Sequence, residues 1–129
     1  MKKLSLGCIG TGIFLALSSL TVSAATEVNS VSALNAIIAN NEYVVVDFYS
    51  PQCPPCQRLL KILPSIEEEL KDVVFVKVSY ADVPELFDVY NVMSFPTLII
   101  IKNGKVVGRT VGFKSKKVVI TIVKGKLEI

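Results

Sequence analysis

Apolar residues in this chain fall into two kinds of run. Some are nearly unbroken. Residues 43–49 (YVVVDFY) and 73–79 (VVFVKVS) each carry a single charge, Asp47 in the first and Lys77 in the second. Runs too apolar to alternate predict strands covered on both faces. Other apolar residues recur at helical spacing. Ala33, Leu34, Ile37 and Ile38 predict a helix capped by Ser30 or Ser32 and ended at Asn40-Asn41. Leu59, Leu60 and Leu63 predict a second helix, from Cys56 and its neighbours to about Lys71. Pro64 lies inside it and should kink it or break its hydrogen-bond ladder, having no N–H to give.

The shorter patterns complete the outline. Residues 26–28 read as an edge strand. Asp82-Val83-Pro84-Glu85 reads as a helix start, with Asp82 as cap, Glu85 closing a capping box and Pro84 in the first turn; this helix ends near Asn91. Residues 97–101 form a strand, Asn103-Gly104 is a two-residue hairpin signal, and residues 106–111 pair antiparallel beyond it, before Gly112 turns the chain. Residues 118–123 are β-branched and by propensity favour a strand. Lys117, Thr121 and Lys124 nevertheless fall at helical spacing and leave an apolar face, so the segment is read as a helix with Ser115 as cap and Gly125 as stop. The class is α/β, with strands first joined by crossovers and then by a hairpin.

Composition changes the picture at the N-terminus. The chain of 129 residues is 51% hydrophobic, and part of that excess is local. Lys2 and Lys3 precede a mostly apolar, uncharged stretch from Leu4 to Leu20, and Val22-Ser23-Ala24 offers a small-x-small cleavage site. The expectation is a secretory leader, residues 1–24, followed by one domain, residues 25–129. The alternative is a retained membrane anchor, since the apolar stretch is about long enough to span a bilayer. Lipid attachment at Cys8 is disfavoured, because Leu6-Gly7-Cys8 has no well-placed apolar region before it. Loss of the leader lowers the formal charge from +3 to +1 by removing Lys2 and Lys3. A domain so near neutrality has no basic field for phosphates, which argues against nucleic-acid binding. Lys114, Lys116, Lys117, Lys124 and Lys126 are spread along the last helix and read as a solvated face.

Cleavage would also leave two of the three cysteines, Cys53 and Cys56. A bridge between them closes too short a loop to be an effective staple. Structural zinc lacks ligands, for the chain has no histidine. Cys53-Pro54-Pro55-Cys56 does sit where a strand ends and a helix begins. The first helical turn has unpartnered N–H groups and a positive dipole, which stabilise a thiolate and lower its pKa. Redox activity is the leading reading of the pair; a structural or metal-binding pair is the alternative.

Together these residues resemble the thioredoxin family over nearly the whole of the domain. Val46-Asp47-Phe48 precedes the CxxC at the family's spacing. Phe95-Pro96-Thr97 resembles its cis-proline loop, Lys102-Asn103-Gly104-Lys105 its hairpin, and Gly112 a glycine that flanks its active site. Departures are Tyr49 and Gln52 where cytosolic thioredoxins commonly have tryptophans, Pro54 in place of glycine, and Pro64 about one turn late. The resemblance implies a thioredoxin fold, a central mixed sheet of four to five strands flanked by helices. It implies a thiol-disulfide oxidoreductase acting on protein thiols and disulfides as a monomer, without cofactor or metal. With the leader, the chain resembles exported, periplasmic members, supplied with electrons by a membrane thiol-transfer protein.

Roles follow from the same resemblance. Cys53 is the expected nucleophile and Cys56 the resolving thiol. Asp47 is expected to be partly buried under the active site, its pKa raised by desolvation, and to take the Cys56 proton. Lys77 is its expected charge partner. The Phe95-Pro96 bond is expected to be cis, leaving the Phe95 backbone free to pair with an extended substrate beside Cys53, with Gly112 flanking the same site. Tyr49, Pro51, Phe95 and Phe113 are expected to form an apolar rim. Two prolines between the cysteines withhold backbone donors from a Cys53 thiolate, which favours a reductase over a strong oxidase. The competing class is a redox-inactive binding or assembly module; a copper-handling thiol pair is disfavoured by the lack of histidine and of methionine clusters.

Overall fold

A computed structural model describes residues 25–129. The expected leader, its cleavage site and Cys8 lie outside the described residues. Nine elements follow in order: β1 (Thr26–Glu27), α1 (Val31–Asn40), β2 (Tyr43–Tyr49), α2 (Pro54–Glu69), β3 (Val74–Ser79), α3 (Pro84–Val89), β4 (Thr97–Lys102), β5 (Lys105–Val111) and α4 (Lys116–Leu127). They build one five-stranded mixed sheet in the order β1-β3-β2-β4-β5. β1 and β2 both run parallel to β3, whereas β4 runs antiparallel to β2 and to β5. Among the described residues no helix is long and apolar enough to cross a membrane.

The near-continuous apolarity of β2 follows from its place at the centre of the sheet. Val44, Val46 and Phe48 point to one side, into a cluster with Leu34 of α1 and Leu86 and Phe87 of α3. Val45 points to the other, into a cluster with Leu59 and Leu63 of α2 and Val119 and Val123 of α4. Side chains alternate along a strand, so Asp47 and Tyr49 lie on the same side as Val45, the side covered by α2.

The turns carry their own local causes. Ser30 caps α1 by accepting from the Ala33 N–H at 3.1 Å. At the β4–β5 hairpin both central residues have positive φ, 51° at Asn103 and 81° at Gly104. This is the twist that an Asn-Gly pair supplies at least cost. α2 stays helical through Pro64, which can give no hydrogen bond to the carbonyl four residues back.

Two expectations need correction. Asp82 does not cap α3: Val83 is the N-cap, with no side-chain cap bond. Val83 is buried in the core, and the preceding turn is closed instead by Ser79, whose carbonyl accepts from the Asp82 and Val83 N–H groups at 3.1 and 3.0 Å. Gly125 does not stop α4, which runs on to Leu127 and ends at Glu128 in the left-handed region. Val119, Val123 and Leu127 are fully buried at four-residue spacing. Burying a leucine is worth about 1.5–3 kcal/mol, more than the ~1 kcal/mol that an internal glycine costs.

Candidate active site

Cys53 and Cys56 are joined in a disulfide, with Cα atoms 5.2 Å apart. Cys53 is the N-cap of α2, and Pro54 and Pro55 fill the first helical positions. Neither proline has an N–H, so the first donor of the helix is that of Cys56. It points at the Cys53 Sγ, 3.2 Å away. The turn before it is pinned by the Cys53 N–H on the Ser50 carbonyl at 3.3 Å and by the Gln57 side chain on the Pro51 carbonyl at 3.2 Å. Cys53 is half-buried and Cys56 fully buried, so the two cysteines differ in their access from outside.

Cys56, Leu59, Leu63 and Ile66 form the buried stripe of α2. That stripe faces the side of the sheet that carries Val45 and Asp47. Asp47 is 1% exposed, and neither carboxyl oxygen has a hydrogen-bond partner in the protein. Burial pushes its pKa up to about 7; Lys77 pulls it down and Glu27 pushes it further up.

The sheet register explains these neighbours. Glu27 on β1 pairs with Lys77 on β3, Lys77 with Asp47 on β2, Asp47 with Leu98 on β4, and Leu98 with Thr110 on β5. One line of side chains therefore crosses all five strands. Lys77 is beside Asp47 as expected, yet its ion pair is with Glu27, at 3.9 Å. The same Glu27 oxygen accepts the Tyr49 hydroxyl at 2.7 Å. Burial and this bond to a carboxylate raise the Tyr49 pKa, burial most.

Tyr49 therefore is not a rim residue. It is 9% exposed and turned under the site, because it continues the Asp47 face of a strand covered on both sides. Phe95 is half-buried, stacked edge-on against Phe87 at 5.5 Å and tilted against Tyr80 at 5.6 Å. The Phe95–Pro96 peptide is cis. The Pro96 carbonyl accepts from the Gly112 N–H at 2.8 Å, and Gly112 turns there with φ of 87°. Phe113, half-buried, lies under the Arg58 guanidinium of α2, 5.0 Å from its ring centre. The exposed apolar residues near this loop are Met93, Tyr80 and Val111, with Met93 93% exposed.

The structure thus places both cysteines at one helix start, Asp47 and Lys77 in one register pair, and Pro96 against Gly112. Sequence reasoning missed Glu27. Its strand is two residues long and shows no periodicity, and strand register is not written in composition. Among the described residues no group of three or more His, Cys, Asp or Glu side chains is gathered as a metal site.

Residues 25–125 match the sequence profile of the family described as Thioredoxin. The chain is similar to a thioredoxin of Chlamydia caviae, 39% identical over 97 residues that make up 75% of this chain and 94% of that protein. It is similar to a thioredoxin of Bacillus subtilis, 39% identical over 75 residues, 57% of this chain and 72% of that protein. The solved structure of a Plasmodium falciparum thioredoxin superposes with a TM-score of 0.73 at 29% identity, covering 78% of this chain and 97% of that one.

Proposed function

The chain belongs to the thioredoxin family and is a thiol-disulfide oxidoreductase, and from that premise we propose that it reduces protein disulfides through Cys53 and Cys56. The observation that carries the reading is the division between the two sulfurs. Cys53 stands half-buried at a helix N-cap with a backbone N–H on its Sγ, and Cys56 is fully buried on the side of the sheet that carries an unpartnered carboxyl.

In the dithiol form the Cys53 thiolate attacks one sulfur of a substrate disulfide. A bond forms between Cys53 and the substrate, the substrate disulfide breaks, and the other sulfur leaves as a thiolate that takes a proton from water. The Asp47 carboxylate then accepts the Cys56 proton. The Cys56 thiolate attacks the Cys53 Sγ, the mixed disulfide breaks, and the second substrate sulfur leaves and recovers the proton from Asp47. Two electrons pass from the cysteine pair to the substrate, and the pair ends as the Cys53–Cys56 disulfide. A carboxyl titrating near 7 can both take and return a proton at neutral pH. Phe95 and Pro96, with Gly112 behind them, offer the backbone edge along which an extended substrate lies.

The prolines support the direction. With no N–H at Pro54 or Pro55, the Cys53 thiolate has one local backbone donor where other dipeptides would supply more, so the dithiol is a less stabilised form and a better reductant. The apolar stretch behind Lys2 and Lys3 supports export to the periplasm, or tethering to the inner membrane where it is uncleaved. A reductase there draws its electrons from a membrane thiol-transfer protein, and acts as a monomer.

The test is Cys56→Ser, which should accumulate mixed disulfides through Cys53; a variant that traps no protein thiol removes the assigned roles. Insulin reduction by the unaltered chain, lost on Cys53→Ser, separates catalysis from a redox-inactive binding module. A reduction potential at the strongly oxidising end would reverse the direction.

A further inference from the structure

The register line beneath the cysteines contains two carboxyls with one ammonium between them: Glu27 on β1, Lys77 on β3, Asp47 on β2. Lys77 pairs with Glu27 and not with Asp47. The choice has a physical cause. The Lys77 and Glu27 side chains are 26% and 32% exposed, whereas Asp47 is 1% exposed, so the ammonium keeps more of its water beside Glu27, whose Oε2 is itself buried without a partner. Moving the ammonium fully onto Asp47 would cost more desolvation than a single contact returns. Glu27 is itself held, since one of its oxygens receives the Tyr49 hydroxyl at 2.7 Å.

We propose that Glu27 is a positioning residue for the proton transfer at Asp47: fixed by Tyr49, it anchors the Lys77 ammonium toward the sheet edge and keeps it from forming an ion pair with the Asp47 carboxyl. This rests on the role given to Asp47 above. A carboxylate locked to an ammonium is a permanent anion and a poor base, whereas one without that partner exchanges its proton near neutrality. Lys77 and Glu27 are the two charges that act on Asp47; its register partner on β4 is the apolar Leu98, and the α2 and α4 residues on that side of the sheet, Leu59, Leu63, Ile66, Val119 and Val123, carry no charge.

The experiment follows the reduced full chain reacting with an aromatic disulfide that releases two coloured thiolates in sequence. The second release reports attack by Cys56, and its rate is measured against pH. In the unaltered chain the rate rises along a limb set by Asp47. Glu27→Gln keeps an oxygen for the Tyr49 hydroxyl and removes the charge that holds Lys77. The limb should move to lower pH by about one unit, and the move should shrink when Lys77→Met is added. Carbon NMR titration of the Asp47 carboxyl in the same variants reads the shift without catalysis. A limb that stays in place in Glu27→Gln while Asp47→Asn abolishes it would overturn the role of Glu27, as would a slower rate with no move or a move that Lys77→Met leaves unchanged. A limb that survives Asp47→Asn would remove the base itself, a separate failure.

Discussion

Substituting Asp47 by Asn should remove a pH dependence of stability, leaving the chain little changed at acid pH and more stable at alkaline pH. The carboxyl titrates at about 7 in the fold, against an ordinary value of 3.8. Between those values the folded chain holds a proton that the unfolded chain has released. Stability therefore falls as pH rises through this window, and the loss is complete above the folded value. At ~1.4 kcal/mol per pH unit, the gap amounts to roughly 4 kcal/mol, undiminished by solvent because the group is 1% exposed. Asn is nearly isosteric and stays neutral throughout, so it loses the slope and keeps the packing. Urea denaturation of the oxidised chain at pH 4, 5, 6, 7 and 8 measures both proteins. The expected difference grows in favour of Asp47→Asn by about 4 kcal/mol from the acid to the alkaline end. Parallel curves would refute the reasoning, since they would mean that Asp47 titrates alike in both states.

Pro55→Ala restores an N–H in the first turn, at a position from which an N-cap side chain can accept. One added bond to a thiolate, at about 1.5–3 kcal/mol, should lower the Cys53 pKa and make the disulfide roughly 30–60 mV more oxidising; thiol alkylation against pH and a glutathione titration check the two effects, and an unchanged potential would discount the proline argument. Gly125→Ala should stabilise the chain by about 0.5–1 kcal/mol, because an added Cβ there meets open space within a continuing helix; a fall in denaturant midpoint would contradict a helix that reaches Leu127.

Much of the frame was legible in the sequence because burial leaves a local trace. Asp47 stands out among Val44, Val45, Val46 and Phe48, and a strand covered on both faces accounts for that setting. Asn103-Gly104 marked its hairpin through a backbone requirement that few other pairs meet. In α4 the four-residue spacing of Val119 and Val123 outweighed β-branched propensity, as expected, and the same spacing carried the helix past Gly125 to Leu127. What stayed hidden depends on pairing between distant segments. Nothing near Glu27 announces that it will stand beside Lys77, and Tyr49 looks like a rim aromatic until its hydroxyl is seen on Glu27. Asp82 met every local rule for a cap, yet burial of Val83 decided where α3 begins.

The loop that presents Phe95 is moored twice, by the outermost strand and by the residue that follows it. Beyond that loop the Gly112 N–H holds the Pro96 carbonyl, and ahead of it Arg109 of β5 donates to the Tyr90 and Asn91 carbonyls at 2.7 and 3.2 Å, at the end of α3. Border strand and cis-proline loop thus form one mechanical piece. A protein that peels β5 from its neighbour would slacken the Phe95–Pro96 loop before it disturbed the cysteines, so, with the substrate role proposed for that loop, wear at the margin of the sheet would first show as poorer grip on clients, with the thiol chemistry intact.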